Sequence, residues 1–387
     1  MDEKHSLLDK GSESPINHGT ISRTLRNSLT TRRSPKFSDN DKPTPNETWM
    51  SSVPNDVPIS ALSIPGTHDS AAYTSKWPFV STQNLNITEQ LNLGIRYFDL
   101  RCGLRANIVE MVHGISYLGL RLEEVLSAMY AWLETHASEG LVVQIKHDRE
   151  DEKSSIDFSQ GVMATLMLRQ DKWRTTDTTP TLGELRGKIQ LFRRFEGQGL
   201  HRYGIDVSRW VVNPEVPFTI CTWHGVQITI QDHYTCASAE SLPTLVRQKG
   251  GDVATMLKMA EVDVELEHWY LNFTSAYEIN FWYQITPREI ALGGWWGFNW
   301  DAGINVRLRN SLQRQPGKRR LGIIAMDYPE MGADDLVALV IRSNFESKGS
   351  YWERLLFVLP LLLLIAVLVA GVMLHVHGRN LRHGALS

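Results

Sequence analysis

The chain has 387 residues, 42% of them hydrophobic, and a formal net charge of -3 from 40 basic and 43 acidic side chains. That near balance excludes the strong positive field of a nucleic-acid binder, so any anion recognition must be local. Three cysteines, Cys102, Cys221 and Cys236, are too few and too widely spaced for a disulfide scaffold or a zinc site. The length suits two average domains or one α/β barrel.

Residues 1–48 are rich in Ser, Thr, Asn, Lys and Arg without apolar periodicity, which predicts a disordered polar arm. The arm has no apolar stretch of the secretory-signal kind. Residues 49–345 alternate strand-like apolar runs with helix-like stretches. The runs are Ile59 to Ile64, Ile95 to Leu100, Ile108 to Val112, Leu141 to Ile145, Ile189 to Phe192, Val226 to Ile230, Trp269 to Phe273 and Leu321 to Ala325. Helical periodicity covers Leu122 to Leu133, Ile304 to Leu312 and Ala333 to Ile341. Eight runs with intervening helices predict an α/β fold, an irregular (β/α)8 TIM-type barrel, irregular because several connections are too short for a full helix.

Leu355 to Val376 is apolar apart from one histidine near its end, long enough to predict a single transmembrane helix, followed by a short polar tail, 377–387. With no signal peptide and only about ten residues beyond the span, the expected arrangement is a single-pass, tail-anchored membrane protein with the barrel facing the cytosol. Arg342, Lys348 and Arg354 before the span and Arg379 and Arg382 after it do not settle orientation. Asn-x-Thr sequons at Asn46, Asn86 and Asn272 favour the opposite side.

A barrel of this kind places its active site at the carboxyl ends of its strands. The residues that follow the runs are His68 with Asp69, Arg101, His113, Lys146, Arg194, Asp232 with Tyr234, and Asp327. Any one of these has a structural explanation: THDS can cap a helix, Asp99 and Asp327 can partner backbone amides, and Arg194 can belong to a solvated pair. Together they suit an anionic, hydroxyl-rich substrate. Cleaving a phosphodiester beside a hydroxyl needs a base, an acid and a cation for the non-bridging oxygens. His68 and His113 fit the first two roles and Arg101 the third, its planar fork matching a phosphate. Asp327 would orient His68 and favour its protonated form, and Asp69 would assist the acid.

From Ile59 to Ser343 the sequence resembles phosphatidylinositol-specific phospholipase C of the bacterial, metal-independent type, through the X-domain motifs SIPGTHDS, IRYFDLR, VHG, QIKHDRED, GKIQLFRRF, ITIQDHY, WYLNFTS and AMDY. The resemblance implies that His68 is the general base, His113 the general acid, Arg101 the phosphate ligand, and Asp69 and Asp327 supporting carboxylates. It also implies an inositol pocket from Lys146, Arg194, Asp232 and Tyr234. The inositol 2-hydroxyl would attack phosphorus and diacylglycerol would depart, leaving a cyclic inositol phosphate. Calcium-dependent relatives carry metal-binding carboxylates where this chain has Arg101, so neither metal nor other cofactor is expected.

The expected partners are phosphatidylinositol, or an inositol-containing glycolipid anchor, and a membrane. Trp77, Tyr277, Phe281, Trp282 and Tyr283 fall on segments resembling the family's membrane-touching rim, with core packing as the competing explanation. The sequence departs from the bacterial pattern in its arm and span, in an aromatic insertion from Gly293 to Asp301, and around Cys221 to His224. Two other functions compete: a non-catalytic, membrane-tethered module that binds inositol headgroups, and a related glycerophosphodiesterase. The intact His68, His113 and Arg101 set speaks against the first, and Arg101 in a metal position against the second.

Overall fold

The computed structural model describes residues 45–197, 199–200, 203–236, 241–279 and 284–346. In chain order the strands are β1 (Ile64–Thr67), β2 (Tyr97–Arg105), β3 (Ile108–His113), β4 (Ser116–Arg121), β5 (Leu141–Glu152), β6 (Trp173–Arg174), β7 (Ile189–Arg194), β8 (Ile205–Asp206), β9 (Phe218–Cys221), β10 (Gln227–Gln231), β11 (Trp269–Phe273), β12 (Glu278–Ile279), β13 (Gln284–Ile285), β14 (Gly293–Trp296), β15 (Asn299–Ala302) and β16 (Ile323–Met326). The helices are α1 (Ile87–Leu93), α2 (Leu122–Thr135), α3 (Phe158–Met167), α4 (Leu182–Leu185), α5 (Leu242–Val262), α6 (Pro287–Leu292), α7 (Ile304–Arg314) and α8 (Leu336–Arg342).

The main sheet runs β6–β7–β5–β2–β1–β16–β11–β10–β9, and every neighbouring pair is parallel except β10 with β9. The short β6 and β8 share the outer edge of β7, β6 beside its first residues and β8 beside its last. Every residue of β1, β11 and β16 is buried, as expected where a parallel sheet is packed on both faces. The result is a TIM-type α/β cylinder. Among the described residues no ladder joins β8 to β9 or β10, so the cylinder is open there.

Two of the expected runs fold differently. Ile108 to Val112 is not a barrel strand: it lies in β3, antiparallel to β2, in a β2–β3–β4 meander. Ala106 and Asn107, with φ of 50° and 65°, form the tight turn that reverses the chain. Ile59 to Ile64 yields a 3-10 turn at Ile59–Ala61, and the strand starts only at Ile64. The three expected helices are present as α2, α7 and α8. Periodicity missed α5, whose centre carries Gly250 and Gly251, and the short α1, α3, α4 and α6. All four short helices begin with a capping box, in which a side chain before the helix and an acid or amide three residues into it bond each other's backbone.

The membrane-anchored architecture needs correction. Among the described residues no helix is long and apolar enough to cross a membrane. The longest of them, α5, has 21 residues but carries Arg247, Lys249, Asp252, Lys258 and Glu261. The expected span at 355–376 and its tail lie outside the described residues, as does the expected arm up to residue 44. The transmembrane helix and the tail-anchored, cytosol-facing placement are therefore withdrawn, and the architecture is that of the α/β barrel. Of the three sequons, Asn272 is fully buried in β11 and bonded to Gln231 and Val253, so the folded barrel does not present it for glycosylation.

The packed region begins by Asn46. A 3-10 helix, Asn46–Ser52, buries Trp49 and Met50 against the amino end of the barrel. Arg96 fastens it there: this fully buried guanidinium bonds Glu139 at 2.7 and 3.0 Å, the carbonyls of Glu47, Leu91 and Ile95, and lies over the ring of Trp132. Arg96→Leu would leave the Glu139 carboxylate buried without its counter-charge. Urea unfolding should show a loss of about 3–5 kcal/mol, and a change below 1 kcal/mol would mean that Glu139 finds another partner.

Candidate active site

The turn after β1 is built to hold two side chains at the barrel mouth. His68 N–H bonds the carbonyl of Met326 on the neighbouring strand at 3.0 Å, and Ser70 N–H bonds the carbonyl of Asp99 on the other side at 2.9 Å. Between them Asp69 has a φ of 44°, a left-handed conformation that Asp tolerates better than most residues. Gln83 locks the turn, its amide donating to the carbonyls of His68 and Met326.

Five side chains, three basic and two acidic, then form one continuous chain. Asp327, just past β16, accepts from His68 Nδ1 at 2.8 Å, so the ring nitrogen of His68 that faces the rest of the site is Nε2. Nε2 in turn lies 2.9 Å from Nη2 of Arg101, which rises from β2. Nε of Arg101 is 3.2 Å from Asp99 and 3.8 Å from Asp69. Asp69 lies 3.2 Å from Nδ1 of His113, at the end of β3. His113 Nδ1 donates to the carbonyl of Val80 at 2.7 Å, which leaves its Nε2 as the nitrogen free for proton transfer.

Burial and charge compete at each member. Burial opposes a charge on His68, but Asp327 outweighs it and holds the imidazole above its ordinary value. Burial raises Asp69, against the pull of His113 and Arg101, and its carboxylate accepts no hydrogen bond. Asp99 behaves in the opposite way: burial would raise it, yet Arg101 and His68 hold it well below the usual carboxylate range. Burial also works against the charge of Arg101, and Asp99, Asp69 and Asp148 more than offset it.

A second group sits beside the first. Arg101, Lys146 and Arg194 are in register across β2, β5 and β7, so three cations share one level of the barrel. Burial and Arg101 lower Lys146, which pairs with Asp148. Burial brings Arg194 down to about 10, with Asp232 opposing. Arg194 lies 3.5 Å above the ring of Trp210 and 3.7 Å from Asp232, and its buried Nη1 has no hydrogen-bond partner. Trp210 itself donates to Asp232 at 2.9 Å. Tyr234 is held by its backbone, its N–H bonding Asn213 at 2.9 Å.

The structure thus gathers His68, Asp69, Arg101, His113 and Asp327 into one network and sets Lys146, Arg194, Asp232 and Tyr234 alongside. Trp77 is exposed on the turn that supplies the Val80 carbonyl. The expected rim residues Phe281, Trp282 and Tyr283 lie outside the described residues.

Sequence reasoning missed Asp148, Trp210 and Lys249. Alternation along β5 puts Asp148 on the face of Lys146, a signal that was available. Trp210 comes from a loop without periodicity. Lys249 is buried on α5, pushed down to about 8 by its burial, and donates to Gln231 Oε1 and the His233 carbonyl, bracing the segment of Asp232 and Tyr234. Among the described residues, His233, Cys236 and Asp252 are the one set of three metal-type ligands whose atoms lie within 4.8 Å of one another. Nδ1 of His233 is already paired with Asp252 there at 2.9 Å.

Residues 56–195 match the family model of the phosphatidylinositol-specific phospholipase C X domain. The chain is 26% identical to 1-phosphatidylinositol phosphodiesterase of Staphylococcus aureus (strain Newman), over 77% of its own length and 94% of that protein. It is 28% identical to the Listeria monocytogenes protein of the same name, over 73% of its length and 81% of that protein. It is a homologue of the bacterial phosphatidylinositol-specific phospholipases C. A crystal structure of the Staphylococcus aureus phospholipase superposes with a TM-score of 0.66, covering 78% of this chain and 98% of that one. The likeness to the phospholipase therefore covers far more of the chain than the X-domain match.

Asp327→Asn tests the electrostatics independently of activity. It leaves burial and Arg101 acting on His68 without their counterweight, so the imidazole should titrate below its ordinary value of about 6.5 instead of above it. A 15N-edited NMR titration of the His68 side chain reads this directly. A value unchanged from the parent chain would show that Asp327 does not set it.

Proposed function

We propose that the chain is a phosphatidylinositol-specific phospholipase C, cleaving the phosphodiester of phosphatidylinositol or of an inositol glycolipid by attack of the inositol 2-hydroxyl, with residues 49–345 as the catalytic domain. The observation that carries this reading is the continuous network Asp327–His68–Arg101–Asp69–His113, which puts a carboxylate-backed imidazole at each end of a half-buried guanidinium.

In the resting site Arg101 donates to His68 Nε2. Substrate entry exchanges that bond: the guanidinium turns to the non-bridging phosphate oxygens and the 2-hydroxyl takes its place at Nε2. His68 removes the hydroxyl proton, the oxygen attacks phosphorus, and the bond from phosphorus to the glycerol oxygen breaks. His113 delivers its Nε2 proton to that departing oxygen, giving diacylglycerol and a cyclic inositol phosphate. Asp327 stabilises the imidazolium formed on His68, and Asp69 does so for His113 before it gives up its proton. Arg101 supplies the permanent charge that steadies the transition state in a site shielded from water. Lys146, Arg194, Asp232 and Tyr234 supply donors and acceptors for the inositol hydroxyls, with the tyrosine ring against the sugar face.

His68→Ala or His113→Ala should abolish release of cyclic inositol phosphate from phosphatidylinositol vesicles, with the circular dichroism spectrum unchanged. Arg101→Lys should cost on the order of 100-fold or more in kcat, because an ammonium cannot span two phosphate oxygens. Activity should persist in a chelator. Undiminished release from both histidine variants would sink the assignment. Because His68 must be neutral to act and its pKa is raised, activity should fall as pH drops through a value above the ordinary 6.5.

A further inference from the structure

Between α6 and α7 the chain makes an excursion, β14–β15, that takes no part in the barrel sheet. Trp295 pairs with Trp300 and Trp296 with Asn299, and Gly297 and Phe298 form the two-residue turn. Gly297, with φ of 61°, supplies the left-handed first position that such a turn requires. Successive side chains point to opposite faces. Trp296 packs inward against the apolar cluster of Leu242, Leu245, Ile290 and Ile304. Trp295 and Trp300 face out, their rings 6.0 Å apart and edge to face, 67% and 56% exposed. Phe298 at the tip is 100% exposed. Folding accounts for Trp296 alone. The outer face of a surface hairpin is ordinarily polar, and three adjoining exposed aromatics mark a contact surface.

The root of this hairpin is fixed at the catalytic end of the barrel. Gly303, where β15 leads into α7, sits so tightly against Ala291 and Gly293 that a Cβ there would come within 2.4 Å of both backbones. Two residues on, the buried Asn305 donates to the carbonyls of Asp327 and Tyr328 at 2.9 and 3.1 Å. The segment that carries the partner of His68 is thus the segment that seats the hairpin. Exposed Tyr277 belongs to the same mouth, its N–H bonding the carbonyl of Tyr234 at 2.7 Å, as does exposed Trp77 on the turn beside His113. Among the described residues the one other exposed aromatic is Trp223, in the β9–β10 turn at the opposite end.

We propose that β14–β15 is a lipid-contacting prong that inserts Phe298, flanked by Trp295 and Trp300, into the headgroup zone of a lipid surface and holds the barrel mouth against the leaflet that contains the substrate. The proposal rests on the reading of the site as a lipid phosphodiesterase. A lipid surface fits the chemistry of the prong: a bare phenyl ring at the tip reaches furthest, and indoles behind it combine an apolar body with an N–H for the headgroup region. Asp301 and Arg307, 3.9 Å apart at its root, keep charge away from the tip.

The test uses the full chain and sedimentation with phosphatidylcholine vesicles containing phosphatidylinositol, alongside cleavage of a soluble, monomeric inositol phosphodiester. Phe298→Ser and the triple variant Trp295→Ser, Phe298→Ser, Trp300→Ser alter exposed side chains and should fold normally. The triple variant should bind vesicles on the order of tenfold more weakly, from the apolar area removed, and the single variant should lie between it and the parent chain. Turnover of the soluble substrate should not change. Parent-like vesicle binding by the triple variant overturns the proposal, as does an equal loss on the soluble substrate. His68→Ala, which keeps the prong, separates the two readings. If it and the parent chain bind vesicles through the prong while neither substrate is cleaved, the activity is misread and the docking stands. If cleavage proceeds but binding ignores the prong, the docking is misread and the activity stands.

Discussion

The guanidinium of Arg101 is a charge held largely out of water at the mouth of a barrel, and the neighbouring residues are arranged around that fact. Asp99, Asp69 and Asp148 surround it, and Gln144 holds the far oxygen of Asp99 at 2.7 Å. A largely desolvated cation of this kind is tolerated only when its partners are placed well. Here the same partners serve the two histidines. Across the whole mouth Arg101, Lys146 and Arg194 face Asp69, Asp99, Asp148, Asp232 and Asp327, so fixed negative groups outnumber fixed positive ones. The imbalance is felt at His68, whose charged form Asp327 favours against burial.

The barrel serves this electrostatic arrangement through register. Parallel pairing of β2, β5 and β7 puts Arg101, Lys146 and Arg194 at one height, and pairing of β1 with β16 brings His68 to Asp327 from 259 residues away. The departures from barrel regularity also lie at the mouth. The meander after β2 delivers His113, the loop after β8 delivers Trp210 beneath Arg194, and the β14–β15 excursion projects from beside Asp327. The regular strands hold the charges, and the irregular segments add the second imidazole, the stacking surface and the outward aromatic face.

Much of this was legible in the chain because polar residues that end apolar runs stand out against them. His68, Arg101, His113, Lys146, Arg194, Asp232 and Asp327 were each visible in that way. What was not legible came from elements without a period. Trp210 lies in a loop, Lys249 on a helix whose pattern two glycines interrupt, and Asp148 in a charged stretch that looks solvated. His113 was visible for a mistaken reason: its run was taken for a barrel strand, whereas Ala106 and Asn107 turn the chain back to form a meander. The long apolar stretch near the carboxyl end invited a membrane-spanning architecture, yet the described helices pack onto the sheet with one face and none could cross a bilayer.

The sequence by itself determined the residue types of the site, the parallel α/β plan and the family, because these depend on local pattern and short motifs. The sequence reading paired Asp327 with His68 and Asp69 with His113; tertiary structure decided how each carboxylate reaches its imidazole. Asp69 is adjacent to His68 in sequence but lies against His113, since its left-handed backbone turns it away, while Asp327 reaches His68 across a strand pair. Tertiary structure also decided that one tryptophan of the aromatic insertion is core and its neighbours are surface, because strand alternation sorts side chains only once the hairpin has a barrel to lie against.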